Sequence, residues 1–142
     1  MEKDNFFARK KENRKMYKEI SIIIFVLILV IGFDIFTNRY TNQQTNLLME
    51  ELNHLKQNVL AENQKSSQEQ MQAIKEKWGH IYQILAFYIE HDELEKVATE
   101  LTRLAANLDM QQYKEGIQQI DTAIFILQHI QEKETLNGIS IF

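Results

Sequence analysis

The stretch Ile20 to Phe36, ISIIIFVLILVIGFDIF, constrains this chain more than any other. From Ile20 to Phe33 its one polar side chain is Ser21, and a single charge, Asp34, precedes Phe36. At about 1.5 Å rise per residue these positions make a helix of roughly 25 Å, close to the minimum that crosses a bilayer. A core helix in a soluble domain is the competing reading, and the flanks argue against it. Seven Lys/Arg precede the stretch against four acids, whereas nine basic and fifteen acidic residues follow it. The overall charge of −4 therefore combines +3 before the stretch, Asp34 within it and −6 after it. A basic flank stays on the cytoplasmic side. The pattern predicts residues 1–19 as a cytoplasmic tail, 20–36 as a transmembrane signal anchor in the cell membrane, and 37–142 as an extracytoplasmic domain. No small-x-small cleavage signal follows the apolar run and no lipobox cysteine is present, so the anchor is expected to stay attached. Asp34 is expected at the interface, paired with Arg39, with Tyr40 as an interfacial anchor.

Residues 37–142 suffice for one small domain but not two. The chain has no Cys, which excludes disulfides and thiolate chemistry, and no Pro. Beyond the anchor the apolar residues recur at helical spacing. Leu48, Leu52, Leu55 and Val59 form a first stripe, on a helix expected to continue directly from the anchor. The polar run Ala61 to Gln70 predicts a turn, with a second helix starting at Ser66 or Ser67. Met71, Ile74, Trp78, Ile81, Leu85 and Tyr88 form a second stripe, broadened by Ile84, Phe87 and Ile89. Leu94, Val97, Leu101, Leu104 and Leu108 form a third. Ile117, Ile120, Ile124 and Leu127 form a fourth, on a helix expected to end near His129, with Gly116 marking close packing. The apolar end, Leu136 to Phe142, is expected to fold back onto the bundle or to dock on a partner. The fold class is all-α: an N-terminal transmembrane helix followed by an antiparallel bundle of about four helices.

Chemistry-bearing residues are sparse. His91, Asp92 and Glu93 lie together between two helices, where a His with carboxylates could bind a divalent metal or shuttle protons. Asp92 is better read as the N-cap of the third helix, with Glu95 completing a capping box. Trp78 could stack on a ligand, but its place on the second stripe favours core packing. The four His include no i, i+4 pair, and there is no phosphate-binding Gly loop, no nucleophile elbow and no basic patch for nucleic acid. No enzyme activity, no cofactor, no metal site, no small-molecule ligand and no nucleic-acid partner is expected.

Trp78, Ile89-x-His91-Asp92-Glu93, Leu101-x-Arg103-Leu104 and Leu127-x-His129-Ile130-x-Glu132-Lys133-Glu134, followed by the closing Ile141-Phe142, carry a resemblance. As scattered positions between Ile20 and Phe142 they resemble the domain of unknown function 4363 family, small single-pass membrane proteins of bacteria, chiefly Firmicutes. Two positions depart from that pattern: no Trp stands near Ser67, and Gln131 occupies a place where Pro is common. The resemblance implies a membrane-anchored helical domain of unassigned activity and carries over no catalytic residue. It adds Arg103 to Trp78, His91, Asp92 and Glu93 as positions of structural or interaction interest. The expected function is that of an interaction or accessory module for another membrane or envelope protein, or for a second copy of the chain. The alternatives are a divisome-like coiled-coil subunit that dimerises through Leu48, Leu52, Leu55 and Val59, and a ligand-sensing helical bundle.

Overall fold

The computed structural model describes the backbone of residues 2–139 and the side chains of residues 16–135. The described residues form four helices and no strand: α1 (Glu2–Leu60), α2 (Gln64–Leu85), α3 (His91–Asp109) and α4 (Tyr113–Ile139). The chain divides into two compact units, Met1–Phe36 and Thr37–Phe142. The first contains the apolar stretch, whose large side chains from Ile22 to Phe36 are exposed on every side of the helix. A helix apolar all round has no stable surface to show to water. This one is long and apolar enough to cross a membrane.

In the second unit, residues 37–60 of α1 pack with α2, α3 and α4 as an antiparallel four-helix bundle. The cross-helix bonds show the direction of each neighbour. Along α1, Glu51 pairs with Lys77, and Asn58 Nδ2 donates to Gln70 Oε1 on α2, so the two helices run oppositely. On its other side Lys56 reaches Asp121 and Thr45 meets Gln131, so α4 is antiparallel to α1 as well. Gln68 and Tyr82 of α2 reach Asp109 and His91 of α3. The connections Ala61–Asn63, Ala86–Glu90 and Met110–Gln112 are short, and short connections force consecutive helices to lie side by side and antiparallel.

The first three apolar stripes meet as the spacing predicts. Leu48, Leu52, Leu55 and Val59 are buried against Met71, Ile74, Trp78, Ile81 and Leu85, and against Leu94, Val97, Leu101, Leu104 and Leu108. On α4 the buried line is Ile120, Ala123, Leu127 and Ile130, while Ile117 and Ile124 are only half-buried. The larger residues draw the predicted stripe to one side, whereas the line that is fully buried passes through the small Ala123. Met71, Ile74, Trp78, Ile81 and Leu85 are buried; of the remaining predicted positions Ile84, on the last turn of the helix, and Phe87 beyond it are exposed, Tyr88 is half-buried and Ile89 is buried.

Helix ends differ from expectation in three places. The first turn occupies only Ala61–Asn63, and Asn63, not Ser66 or Ser67, caps α2 by accepting from the Ser66 backbone N–H at 3.2 Å. Asn competes with Ser for this role on equal terms. At α3 the N-cap is Glu90, with no side-chain cap bond, and Asp92 lies inside the first turn. The fourth helix runs past His129 to Ile139, since nothing between them breaks it. The side chains of Leu136 to Phe142, for which a fold-back was expected, lie outside the described residues.

The two halves of the bundle repeat one another. Both α1 and α3 end on a residue in the left-handed region, Glu62 (φ 53°) and Gln111 (φ 57°). Each end is closed by the same bonds: Glu62 N–H to Val59 O and Asn63 N–H to Asn58 O, matched by Gln111 N–H to Leu108 O and Gln112 N–H to Asn107 O. Below each turn an Asn amide donates to a Gln carbonyl at 2.7 Å, Asn58 to Gln70 and Asn107 to Gln119, an offset of 49 residues between the pairs. The same offset superposes the buried positions: Leu52 on Leu101, Leu55 on Leu104, Val59 on Leu108, Met71 on Ile120 and Ile81 on Ile130. It also matches two small residues, Ser67 and Gly116, both buried. A Cβ on Gly116 would lie 3.5 Å from Leu108 and 3.6 Å from Leu104, an ordinary contact, so the packing there is close without excluding Ala.

A left-handed residue other than Gly costs roughly 1 kcal/mol. Gln111→Gly in the 37–142 fragment is therefore expected to raise unfolding stability by about 1 kcal/mol, and Trp78→Ala to lower it by about 3–5 kcal/mol. Urea unfolding followed by circular dichroism reads both; a neutral Trp78→Ala would place the indole outside the core.

Candidate functional site

The polar side chains concentrate where the bundle begins, at Thr37. Thr37, Thr41 and Thr45, spaced by four, lead into the Leu48 stripe of α1; all three are buried, Thr41 and Thr45 as completely as the leucines. The large majority of buried hydroxyls bond to protein or ordered water. Thr45 Oγ1 donates to the Thr41 carbonyl at 2.7 Å and accepts from Gln131 Nε2 at 2.6 Å. The same Gln131 amide donates to Asn46 Oδ1 at 2.9 Å. Thr41 Oγ1 shares a 3.0 Å hydrogen bond with Tyr88 OH, and Asn38 Nδ2 donates to the Glu134 carbonyl at 3.4 Å. These bonds tie α1 to the α2–α3 turn on one side and to α4 on the other.

The repeat breaks here. At the 49-residue offset Thr45 falls on Leu94, Tyr82 on Gln131 and Trp78 on Leu127, so this polar layer belongs to one end of the molecule alone. Charge surrounds it. Lys133 donates to Glu90 Oε2 at 2.9 Å, which holds the Glu90 carboxyl below the usual carboxylate range and raises Lys133 above the usual range for lysine. Both groups face water, so the pair is screened and adds little to stability. Burial raises the Tyr88 phenol above its ordinary 10.0, an effect partly offset by the Thr41 bond.

The residues singled out from the sequence do not converge on one point. Trp78 is in the core, edge-on to Tyr82 at a centroid separation of 6.1 Å. Its Nε1 and the Ser67 hydroxyl are buried without a hydrogen-bond partner among the described residues. His91 Nδ1 lies 3.3 Å from Tyr82 OH, Glu93 pairs with Lys96 at 3.2 Å, and Asp92 is exposed. Arg103 is also exposed and reaches Glu100 on its own helix at 2.8 Å. Among the described residues no three His, Cys, Asp or Glu side chains are grouped to hold a metal ion. Of this layer the sequence reading names Tyr88 as the end of the second stripe and Gln131 as a departure from the family resemblance, but not Thr37, Thr41 or Thr45. Their signal was present as Thr at i, i+4, i+8 in phase with Leu48, but a stripe counted from apolar residues alone stops at the leucine.

A helical bundle behind one membrane-length apolar helix defines the class of protein. A family model described as a domain of unknown function, DUF4363, matches residues 35–140. The chain belongs to that family. No curated protein and no solved structure matches it. Gln131 is the residue that joins α4 to Thr45 and Asn46; Pro there would remove a helix bond as well as the amide.

Two outcomes follow. Tyr88→Phe leaves the Thr41 hydroxyl buried without its partner and should cost about 1–2 kcal/mol. A phenol whose folded pKa is raised stabilises the fold below its ordinary 10.0, and that contribution disappears as pH rises through the folded value. Alkaline absorbance titration should therefore show a late-ionising tyrosine that Tyr88→Phe removes. Asp92, acting through its charge near the N-terminus of α3 and not as a cap, should lose about 0.3–1 kcal/mol equally on change to Ala or Asn. If Asn retained full stability in thermal melts while Ala did not, Asp92 would be a hydrogen-bonding cap after all.

Proposed function

We propose that this protein is a single-pass membrane protein whose extracytoplasmic bundle serves as an interaction or accessory module for another membrane or envelope protein. One observation carries the reading: an apolar helix exposed on all sides is continuous with a bundle whose core is filled by its own four helices. The first needs lipid around it, and the second needs no partner to fold, which suits a module held at a membrane surface. The basic segment before Ile20 supports a cytoplasmic N-terminus. Leu48, Leu52, Leu55 and Val59, the stripe a dimeric coiled coil would use, are already covered within the chain, which favours the accessory module over the coiled-coil subunit. The ligand-sensing bundle has no such observation in its favour.

Protease added to intact protoplasts is expected to remove residues 37–142 while a tag at Met1 survives. Digestion of the tag with protection of the domain would reverse the topology. Crosslinking the full-length protein in its native membrane should yield adducts with a second, larger protein. Adducts with its own copies alone would replace the accessory role with self-association.

A further inference from the structure

The 49-residue repeat extends to the contacts between the two hairpins, residues 37–85 and the α3–α4 pair. Gln131 Nε2 donates to the Asn42 carbonyl at 3.3 Å, and the equivalent positions, Tyr82 and His91, also meet at 3.3 Å. Lys56 pairs with Asp121; their equivalents, Ala105 and Gln72, line one groove between α3 and α2. An operation that carries the first hairpin onto the second therefore carries the second onto the first, as in a dimer of like subunits. Two like hairpins from different chains would present nearly the same surfaces to each other.

Where the repeat fails, the failures are complementary. Glu51 meets Lys77 and lies midway along α1 between Thr45 and Lys56, the partners of Gln131 and Asp121, so Trp78 and Leu127 share a layer of the core. One turn from each, Ile74 is equivalent to Ala123, and all four are buried. The first hairpin supplies the large residue at both positions and the second the small one. Two first hairpins would crowd the space with two Trp and two Ile, and two second hairpins would leave it underfilled. A close-packed interior tolerates neither. The polar layer is matched in the same sense. Thr45 accepts from Gln131, whose equivalent is Tyr82, while the equivalent of Thr45 is Leu94. Like pairing would set Gln131 against Leu94 and take the amide donor away from Thr45. We infer that the face between the hairpins is a specific recognition surface for the opposite hairpin, from its own chain or from a second copy. Thr45, Ile74, Trp78, Ala123, Leu127 and Gln131 are its specificity-determining residues. This surface lies wholly within residues 37–142 and does not depend on what surrounds the apolar helix.

The absence of native cysteine allows single cysteines to be placed in the full-length chain. The chain would be prepared in mild detergent with a protease site inserted after Phe87, which is exposed in the α2–α3 turn, and cut so that the halves can exchange. Copies carrying one cysteine each are then mixed and treated with a short bismaleimide. Lys56→Cys with Asp121→Cys reports opposite hairpins, and Lys56→Cys with Gln72→Cys reports like ones. Opposite-hairpin adducts should form between copies, and like-hairpin adducts should be about tenfold fewer. A copy with the core residues transposed, Trp78→Leu with Leu127→Trp and Ile74→Ala with Ala123→Ile, should fold by circular dichroism. Its first half should crosslink to the wild-type first half severalfold more than two wild-type first halves do. Transposing Thr45 with Leu94 and Tyr82 with Gln131 as well should raise that yield further. Equal yields of the two adducts from wild-type halves overturn the inference whether or not the transposed chain folds, as does release of the second half on cutting. A folded transposed copy that leaves the like-hairpin yield unchanged overturns the assignment to these residues.

Discussion

Removal of four apolar stripes from water, each too narrow to be covered by its own helix, is the constraint on which residues 37–142 depend. Three short connections leave consecutive helices no choice but to lie antiparallel, and the stripes of α1, α2, α3 and α4 then close on one another. The core contains leucine, isoleucine, valine, one Trp and one Met, packed without any disulfide. At about 25 cal/mol per Å² of apolar area, such burial is the dominant favourable contribution available to the fold. The ion pairs lie on the outside, where screening leaves them secondary.

The 49-residue repeat explains why the two outer turns look alike. Each hairpin solves the same local problem: a helix must stop, reverse and pack on itself. Both do so with a left-handed residue and an Asn–Gln bond beneath it. Neither uses Gly at the left-handed position, so both carry a cost that the packing of the hairpin offsets. The molecule therefore has a repetitive end, built from duplicated turns, and a singular end, where Thr41, Thr45, Tyr88 and Gln131 replace apolar partners with a hydrogen-bonded layer. Buried polar groups fix register better than apolar ones, because a slip by one turn would leave each of them unpaired. That layer lies where the bundle follows the apolar stretch in sequence, and it holds the turn bearing Phe87.

The helical class, the apolar span and three of the four stripes were legible because they depend on periodicity, which is a property of neighbouring residues. Helix ends were less so. Asn63 and Ser66 are both good caps, and Glu90 and Asp92 sit two residues apart; which one starts the helix depends on where the preceding turn delivers the chain. The end of α4 was placed too early because polar residues after His129 resemble a terminus when their partners on α1 are unseen.

What the sequence determined by itself is thus a set of surfaces: one helical stretch apolar on every side, followed by four helical segments each apolar along one stripe. These follow from side-chain transfer energies at fixed helical spacing. Which residues meet across those surfaces was decided only by the tertiary structure. Thr45 and Gln131 are separated by 86 positions, and Thr41 and Tyr88 by 47. Nothing local marks a threonine as buried or a glutamine as its donor, since either is equally at home in water. They acquire those roles when closure of the apolar core removes the water and leaves Thr45 to accept from Gln131 on α4 and Thr41 to bond Tyr88 in the α2–α3 turn.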